Sequence, residues 1–144
     1  VDGSVHAPRV IDCGEIRVPS RAAFSARLAL LRGELTRIVE AASPAQSAVE
    51  SPFHGTNARS ALQLAHARGV ILCVLAEAGV PPIEYAPATV KKTVSGSGRA
   101  DKDQVRTMVA RLTGMREKDL PHDVADAIAV ALCHQAHMRL GTLP

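Results

Sequence analysis

The chain has 144 residues and a mass of 15.2 kDa, with 47% hydrophobic and 22% charged residues, a balance that excludes disorder and collagen-like repeats. Aromatics are only 2%, with no Trp, one Tyr and two Phe, so the core must be built from Ala, Val, Leu and Ile. A net charge of +3 and a pI near 9.0 allow an anionic partner without demanding one.

The length fits a single domain over residues 1–144. No apolar run reaches the roughly 18 residues of a membrane span, and no basic segment followed by an apolar run marks a signal peptide. Cys13, Cys73 and Cys133 are widely spaced and show no zinc pattern. They read as buried thiols of a reducing compartment, which points to the cytoplasm. The first residue is Val1 rather than Met, which leads us to expect a beginning removed by processing or truncation.

Residues 9–18 (RVIDCGEIRV) alternate β-branched and polar side chains and predict a half-buried strand. Ser20 is a candidate cap for a helix over residues 21–42, in which Phe24, Leu28, Leu31, Leu35, Ile38 and Val39 share a face. Ser43-Pro44 ends it. Residues 46–50 (QSAVE) predict a short buried strand, and residues 51–56 (SPFHGT) a loop. A second helix, rich in small residues, covers 57–78 and closes at Gly79. Residues 80–85 predict a third strand, 87–94 a short helix, and 95–100 (SGSGRA) a flexible loop. Asp101 and Gln104 have the spacing of a capping box for a helix that stops at Gly114. Pro121 suits the first turn of a last helix reaching about Arg139. The order strand, helix, strand, helix, strand, helix, helix implies an α/β domain with a partly parallel sheet. Sites in such sheets form beyond the carboxyl ends of the strands.

Three acids stand out by position. Glu50 ends an apolar strand, where a charge is costly without a partner or a metal. Asp123 and Asp126 lie three apart at the start of the last helix and so share a face, among apolar neighbours. Such a set is suited to hard divalent cations held through oxygen. Two ions about 4 Å apart would activate water for an in-line phosphoryl displacement. Acids in a first helical turn also simply complement the helix dipole.

Residues 90–102 (VKKTVSGSGRADK) carry Lys91, Lys92, Arg99 and Lys102 with only Asp101 opposing them. Gly96 and Gly98 let the backbone approach a phosphate, and the following helix start favours anions. The stretch suits a nucleic-acid backbone, or is a mobile loop of solvated lysines. It lacks the ending of a Walker A loop. Phe53, between Pro52 and Gly55, can stack on an unpaired base or tuck onto the local core. His122 adjoins Asp123 and is a candidate to tune the site, or a polar first-turn residue. His134 and His137 complement the dipole of the last helix and receive no chemistry.

Three blocks carry a family resemblance: AVESPFHGTNARSALQLAHARGV (48–70), EYAPATVKKTVSGSGRADKDQV (84–105) and HDVADAIAVALCH (122–134). In this order they resemble RuvC, the bacterial Holliday-junction resolvase family, over about residues 10–137. The resemblance implies an RNase H-like fold, a mixed sheet flanked by helices, acting as a homodimer. It implies Mg²⁺ or Mn²⁺, two ions per site, and nicking of two symmetric strands of a four-way DNA junction with water as nucleophile. Glu50, Asp123 and Asp126 match three of the four metal-binding carboxylates of the family. Phe53 matches an aromatic that contacts DNA near the junction. Lys91 and Lys102 match basic residues of catalysis or phosphate contact. With Lys92 and Arg99 of the basic stretch, and with Asn57, the residues Phe53, Lys91 and Lys102 make up the expected DNA-facing set. The helix over 57–78 would contribute to the dimer interface, and the RuvA–RuvB branch-migration complex would be a partner.

One departure is large. The family's first strand, central in the sheet, carries a G-I-D-P-G motif with the first catalytic Asp, and nothing of that kind occurs here. Neither Asp2 nor Asp12 is placed to replace it. The expectation is a chain lacking its first strand, with one catalytic carboxylate missing. For such a chain, a dimeric junction-binding protein that does not cut is the alternative to the nuclease. A small-molecule phosphohydrolase on a similar fold is a third reading.

Overall fold

The computed structural model describes residues 1–4, 7–51 and 58–141. The chain divides into two compact units, one of Val1–Glu15, Ala48–Ser51 and Ile83–Pro144, the other of Ile16–Ser47 and Pro52–Pro82.

In the first unit, β1 (Asp2–Ser4) pairs antiparallel with β2 (Ala7–Arg9). Gly3 is required there: its φ is +89°, and a Cβ would stand 2.7 Å from the Ala7 carbonyl oxygen. β3 (Ala48–Glu50) and β4 (Ile83–Tyr85) pair in parallel, with Ala48 opposite Ile83 and Glu50 opposite Tyr85. Parallel strands need a long crossover, which here carries a helix in sequence. Both pairing modes of a mixed sheet are thus present among the described strands, in two two-stranded pieces.

α3 (Pro87–Ser95) starts on Pro87, whose missing N–H costs nothing in a first turn. α4 (Lys102–Thr113) opens on the expected capping box: Gln104 N–H donates to Asp101 Oδ1 at 2.8 Å, and Asp101 N–H to Gln104 Oε1 at 3.0 Å. Gly114, at φ 72°, ends it in the left-handed conformation. A 3₁₀ turn (Glu117–Asp119) leads to α5 (His122–Leu140), with Pro121 at its N-cap. The core is aliphatic, as the composition requires. Val90 and Val94 of α3 and Val105 and Val109 of α4 pack with α5, where Ala125 and Ala129 are almost wholly buried. α5 also packs on β3 and β4.

The second unit packs α1 (Phe24–Ala42) on α2 (Ala58–Glu77). Phe24 meets the His66 ring edge-on, centroids 5.6 Å apart. Arg32 Nη2 donates to Glu77 Oε2 at 3.1 Å. The apolar faces are incompletely covered: Leu30 and Ile38 of α1 and Leu62 and Leu64 of α2 are exposed. Among the described helices α2 is long and apolar enough, with a mean hydropathy of 1.2, to cross a membrane by length and composition, although Arg59, Gln63, His66 and Arg68 interrupt it.

Three expectations are corrected. Residues 10–18 form no strand, and Ile11 is 59% exposed. Alternation alone does not make a strand without a neighbour to accept its hydrogen bonds. α1 begins later than expected, with Ala23 rather than Ser20 at its N-cap and no side-chain cap. Of the three thiols, all free, only Cys133 is buried, while Cys13 and Cys73 are exposed.

Candidate functional site

Glu50 is the last residue of β3, so its position is set by the ladder to Tyr85 of β4. The ladder continues one residue further, where Ser51 N–H donates to the Tyr85 carbonyl at 2.8 Å. Glu50 retains solvent access as a residue, yet the atoms packed about its carboxyl remove enough water to raise it above the usual carboxylate value. The negative charge of Asp126 raises it further, while Lys91 and Lys102 pull it down. Four elements therefore bring charge to one place: Glu50 from β3, Lys91 from α3, Lys102 from α4 and Asp126 from α5.

The convergence follows from helix starts. The capping box fixes Lys102 as the first residue of α4, and its Nζ stands 3.8 Å from Asp126 Oδ2. Asp126 lies one turn inside α5, between buried Ala125 and exposed Ala127, so it sits at the margin of the packed face. Asp123 stands exposed in the first turn of α5, three residues before Asp126. His122 at the helix start reaches Asp103 of α4, Nε2 to Oδ1 3.6 Å, and Arg106 extends the chain to Asp103 at 3.0 Å and Glu117 at 3.5 Å. His122 thereby brings the start of α5 close to the start of α4.

Lys91 is half-buried on α3, while Lys92 and Arg99 are exposed. The turn between α3 and α4 is ordered by its own bonds. Gly96 caps α3 at φ 80° with its N–H on the Lys92 carbonyl at 2.9 Å. Ser95 Oγ donates to the Lys91 carbonyl at 2.7 Å. At Gly98, a Cβ would come within 3.2 Å of the Ala88 carbonyl oxygen, so the turn lies close on the start of α3. The two glycines thus serve the turn itself. Phe53 and Asn57 lie outside the described residues.

Among the described residues, no three His, Cys, Asp or Glu side chains converge closely enough to hold a metal ion. The donor chemistry nevertheless fits a hard divalent cation. Glu50 and Asp126 are two carboxylates near enough that one charge opposes the other, and a shared cation relieves such a pair. Lys91 and Lys102 are the positive groups facing Glu50.

Sequence alone assigns no role to the only tyrosine. Tyr85 is 1% exposed, and its hydroxyl is 3.0 Å from Nδ1 of His134, itself buried in α5. Burial pushes the Tyr85 hydroxyl up and the His134 imidazole down, toward the neutral form of each. His134 is therefore a core residue rather than a complement to the helix dipole. His137 Nδ1 stands 2.9 Å from the Cys133 carbonyl, and its ring lies beside Tyr85, centroids 5.1 Å apart. A lone tyrosine in a chain this poor in aromatics was the available signal.

The sequence model of the family described as crossover junction endodeoxyribonuclease RuvC matches residues 2–134. The crossover junction endodeoxyribonuclease RuvC of Acidobacterium capsulatum is 48% identical over 129 residues, 90% of this chain and 75% of that relative. That of Moorella thermoacetica is 46% identical over 125 residues, 87% of this chain and 74% of that relative. Among solved structures, Thermus thermophilus RuvC in complex with a Holliday junction substrate superposes with a TM-score of 0.90 at 29% identity, covering 99% of this chain and 86% of that one. These likenesses bear out the RNase H-like α/β class, and the chain belongs to the RuvC family of crossover junction endodeoxyribonucleases.

Proposed function

We propose that this chain, acting as one domain over residues 1–144, resolves four-way DNA junctions in recombination and repair by divalent-metal-dependent hydrolysis of two symmetric phosphodiesters. The observation that carries the reading is the meeting of Glu50, Asp126, Lys91 and Lys102 from four separate elements in a member of this family. The solved relative bound to a Holliday junction supports junction DNA as the substrate.

Glu50, Asp123 and Asp126 are the residues that would hold Mg²⁺ or Mn²⁺, two ions per site. Bound at these carboxylates, such ions would supply activation of a water and stabilisation of charge on the phosphoryl oxygens. Lys102 exchanges Asp126 for the scissile phosphate at little energetic cost, because the pair is exposed. Lys91, half-buried near Glu50, draws that carboxyl's pKa down against burial and Asp126, which raise it. Lys92 and Arg99 line the exposed approach for the DNA backbone. Phe53, by family resemblance, and Asn57 complete the DNA-facing set. The exposed Leu62 and Leu64 of α2 support a homodimer, whose two-fold symmetry presents the same site to two equivalent strands. A cytoplasmic location and work beside the RuvA–RuvB complex belong to the same reading.

A second reading, dimeric junction binding without cutting, is favoured by the lack of a third convergent ligand among the described residues. Asp126→Asn separates the two. On a synthetic junction with Mg²⁺, the wild type cuts, and the variant binds without cutting. Binding without nicks by the wild type defeats the nuclease reading, and unchanged cutting by Asp126→Asn defeats the metal assignment.

A further inference from the structure

We propose that Tyr85 and His134 form a positioning link that sets the distance between the carboxylate on β3 and those on α5; the inference rests on the endonuclease reading. Tyr85 is joined to the site through its main chain. It is the cross-strand partner of Glu50, and its carbonyl accepts the N–H of Ser51 at 2.8 Å. Wherever Tyr85 moves, the end of β3 follows. Its side chain points the other way, into the core, where the hydroxyl stands 3.0 Å from His134 Nδ1. His134 lies eight residues beyond Asp126 on the same continuous helix, about 12 Å along its axis. A helix is stiff over that span, so a bond to His134 is a bond to the element that carries Asp123 and Asp126.

The surrounding core makes this bond matter. Val90, Val94, Val109, Ile128 and Ala129 pack by non-directional contact, which tolerates small slides of β4 along α5. A buried hydroxyl–imidazole bond tolerates little, because misalignment leaves two polar groups unsatisfied away from water. With the ring proton on Nε2, the Tyr85 hydroxyl donates to Nδ1. The His137 ring, tilted against Tyr85 with centroids 5.1 Å apart, holds the phenol from the side. The groups about Tyr85 are thus His134, His137 and Cys133 of α5, with Thr93 of α3 beyond the thiol, 3.5 Å from Cys133 Sγ. Neither Tyr85 nor His134 touches the reacting atoms in this arrangement. Their role is to place those that do.

Tyr85→Phe keeps the ring and removes the bond. At saturating junction and Mg²⁺, well below the thermal midpoint, single-turnover cutting is expected to slow by about 10-fold or more, as misplacement of reacting groups does. Junction affinity should stay within about twofold. His134→Leu should match it, and the double variant should lose little more than either. His134→Asn, which offers an acceptor near Nδ1, should recover most of the rate. In parallel, hydrogen exchange of the Ser51 amide without DNA should quicken by about 10-fold in Tyr85→Phe, as local loosening does, more than at the buried amides of α5. Cutting by Tyr85→Phe at the wild-type rate overturns the link, as does failure of His134→Asn to outperform His134→Leu. If the wild type does not cut, the nuclease reading falls and exchange alone decides. Equal Ser51 protection in wild type and Tyr85→Phe then overturns the link.

Discussion

Replacing Lys102 by methionine keeps most of the stem and removes the charge that faces both acids. Its Nζ is 3.8 Å from Asp126 Oδ2, with 65% of the lysine and 43% of the aspartate side chain exposed. Unit charges at that distance attract by about 1 kcal/mol in water and about 4 kcal/mol at an effective dielectric of 20. This much exposure puts the pair near the water end, where measured pairs contribute ~0.2–1 kcal/mol. Unfolding free energy should therefore fall by less than about 1 kcal/mol. Cutting should suffer more, because Lys102 acts on the site in two further ways. A cation aimed at the reacting phosphate stabilises charge where it develops, and its removal should slow cutting by about 10-fold or more. Lys102 also pulls the Glu50 carboxyl down, so without it burial and Asp126 are opposed by Lys91 alone. Glu50 then titrates higher, and the acid limb of the rate profile moves to higher pH. Single-turnover cutting of a labelled junction across pH, junction binding across salt, and urea unfolding read the three effects separately. The slope of log affinity against log salt should shrink by about 1. If rate, acid limb and salt slope all match the wild type, Lys102 is a solvated surface charge.

Three further outcomes follow from the same geometry. The folded state holds the Glu50 proton more tightly than the unfolded chain does, so the stability this provides is present at low pH and lost as pH rises through the folded value. Glu50→Gln should accordingly be at least as stable as the wild type at neutral pH without divalent ions, and should not cut; a clear fall in its urea midpoint would contradict the repulsion argued for Glu50 and Asp126. Asp101→Ala removes one half of the capping box of α4 and should cost ~1 kcal/mol in urea unfolding, whereas an unchanged midpoint would mean the cap contributes nothing. Leu64 is 69% exposed on α2, so Leu64→Glu should leave folding intact while shifting sedimentation toward the monomer; a wild-type mass for the variant would place the dimer contact elsewhere.

What could be read from the sequence was what neighbours along the chain decide. The capping box at Asp101 and Gln104, the stop at Gly114 and the shared face of Asp123 and Asp126 are relations within one or two turns, and each follows from side-chain chemistry at fixed spacing. Glu50 was legible as an acid at the end of an apolar strand. Residues 10–18 misled because alternation is local while strand formation depends on a partner. The Lys102–Asp126 pair and the Tyr85–His134 bond join residues far apart in sequence, so no spacing announces them. His134 was misplaced for another reason. Its nearness to the helix end suggested the dipole, whereas Val130, one turn earlier, is buried and puts position 134 on the inward face.

The most direct test is cutting of a synthetic four-way junction with each strand end-labelled in turn, in the presence and absence of Mg²⁺. A resolvase places two symmetric nicks on opposing strands, needs the ion, and leaves linear duplex of the same sequence intact. Junction bound but uncut with Mg²⁺ present, or duplex cut as readily as junction, would contradict it.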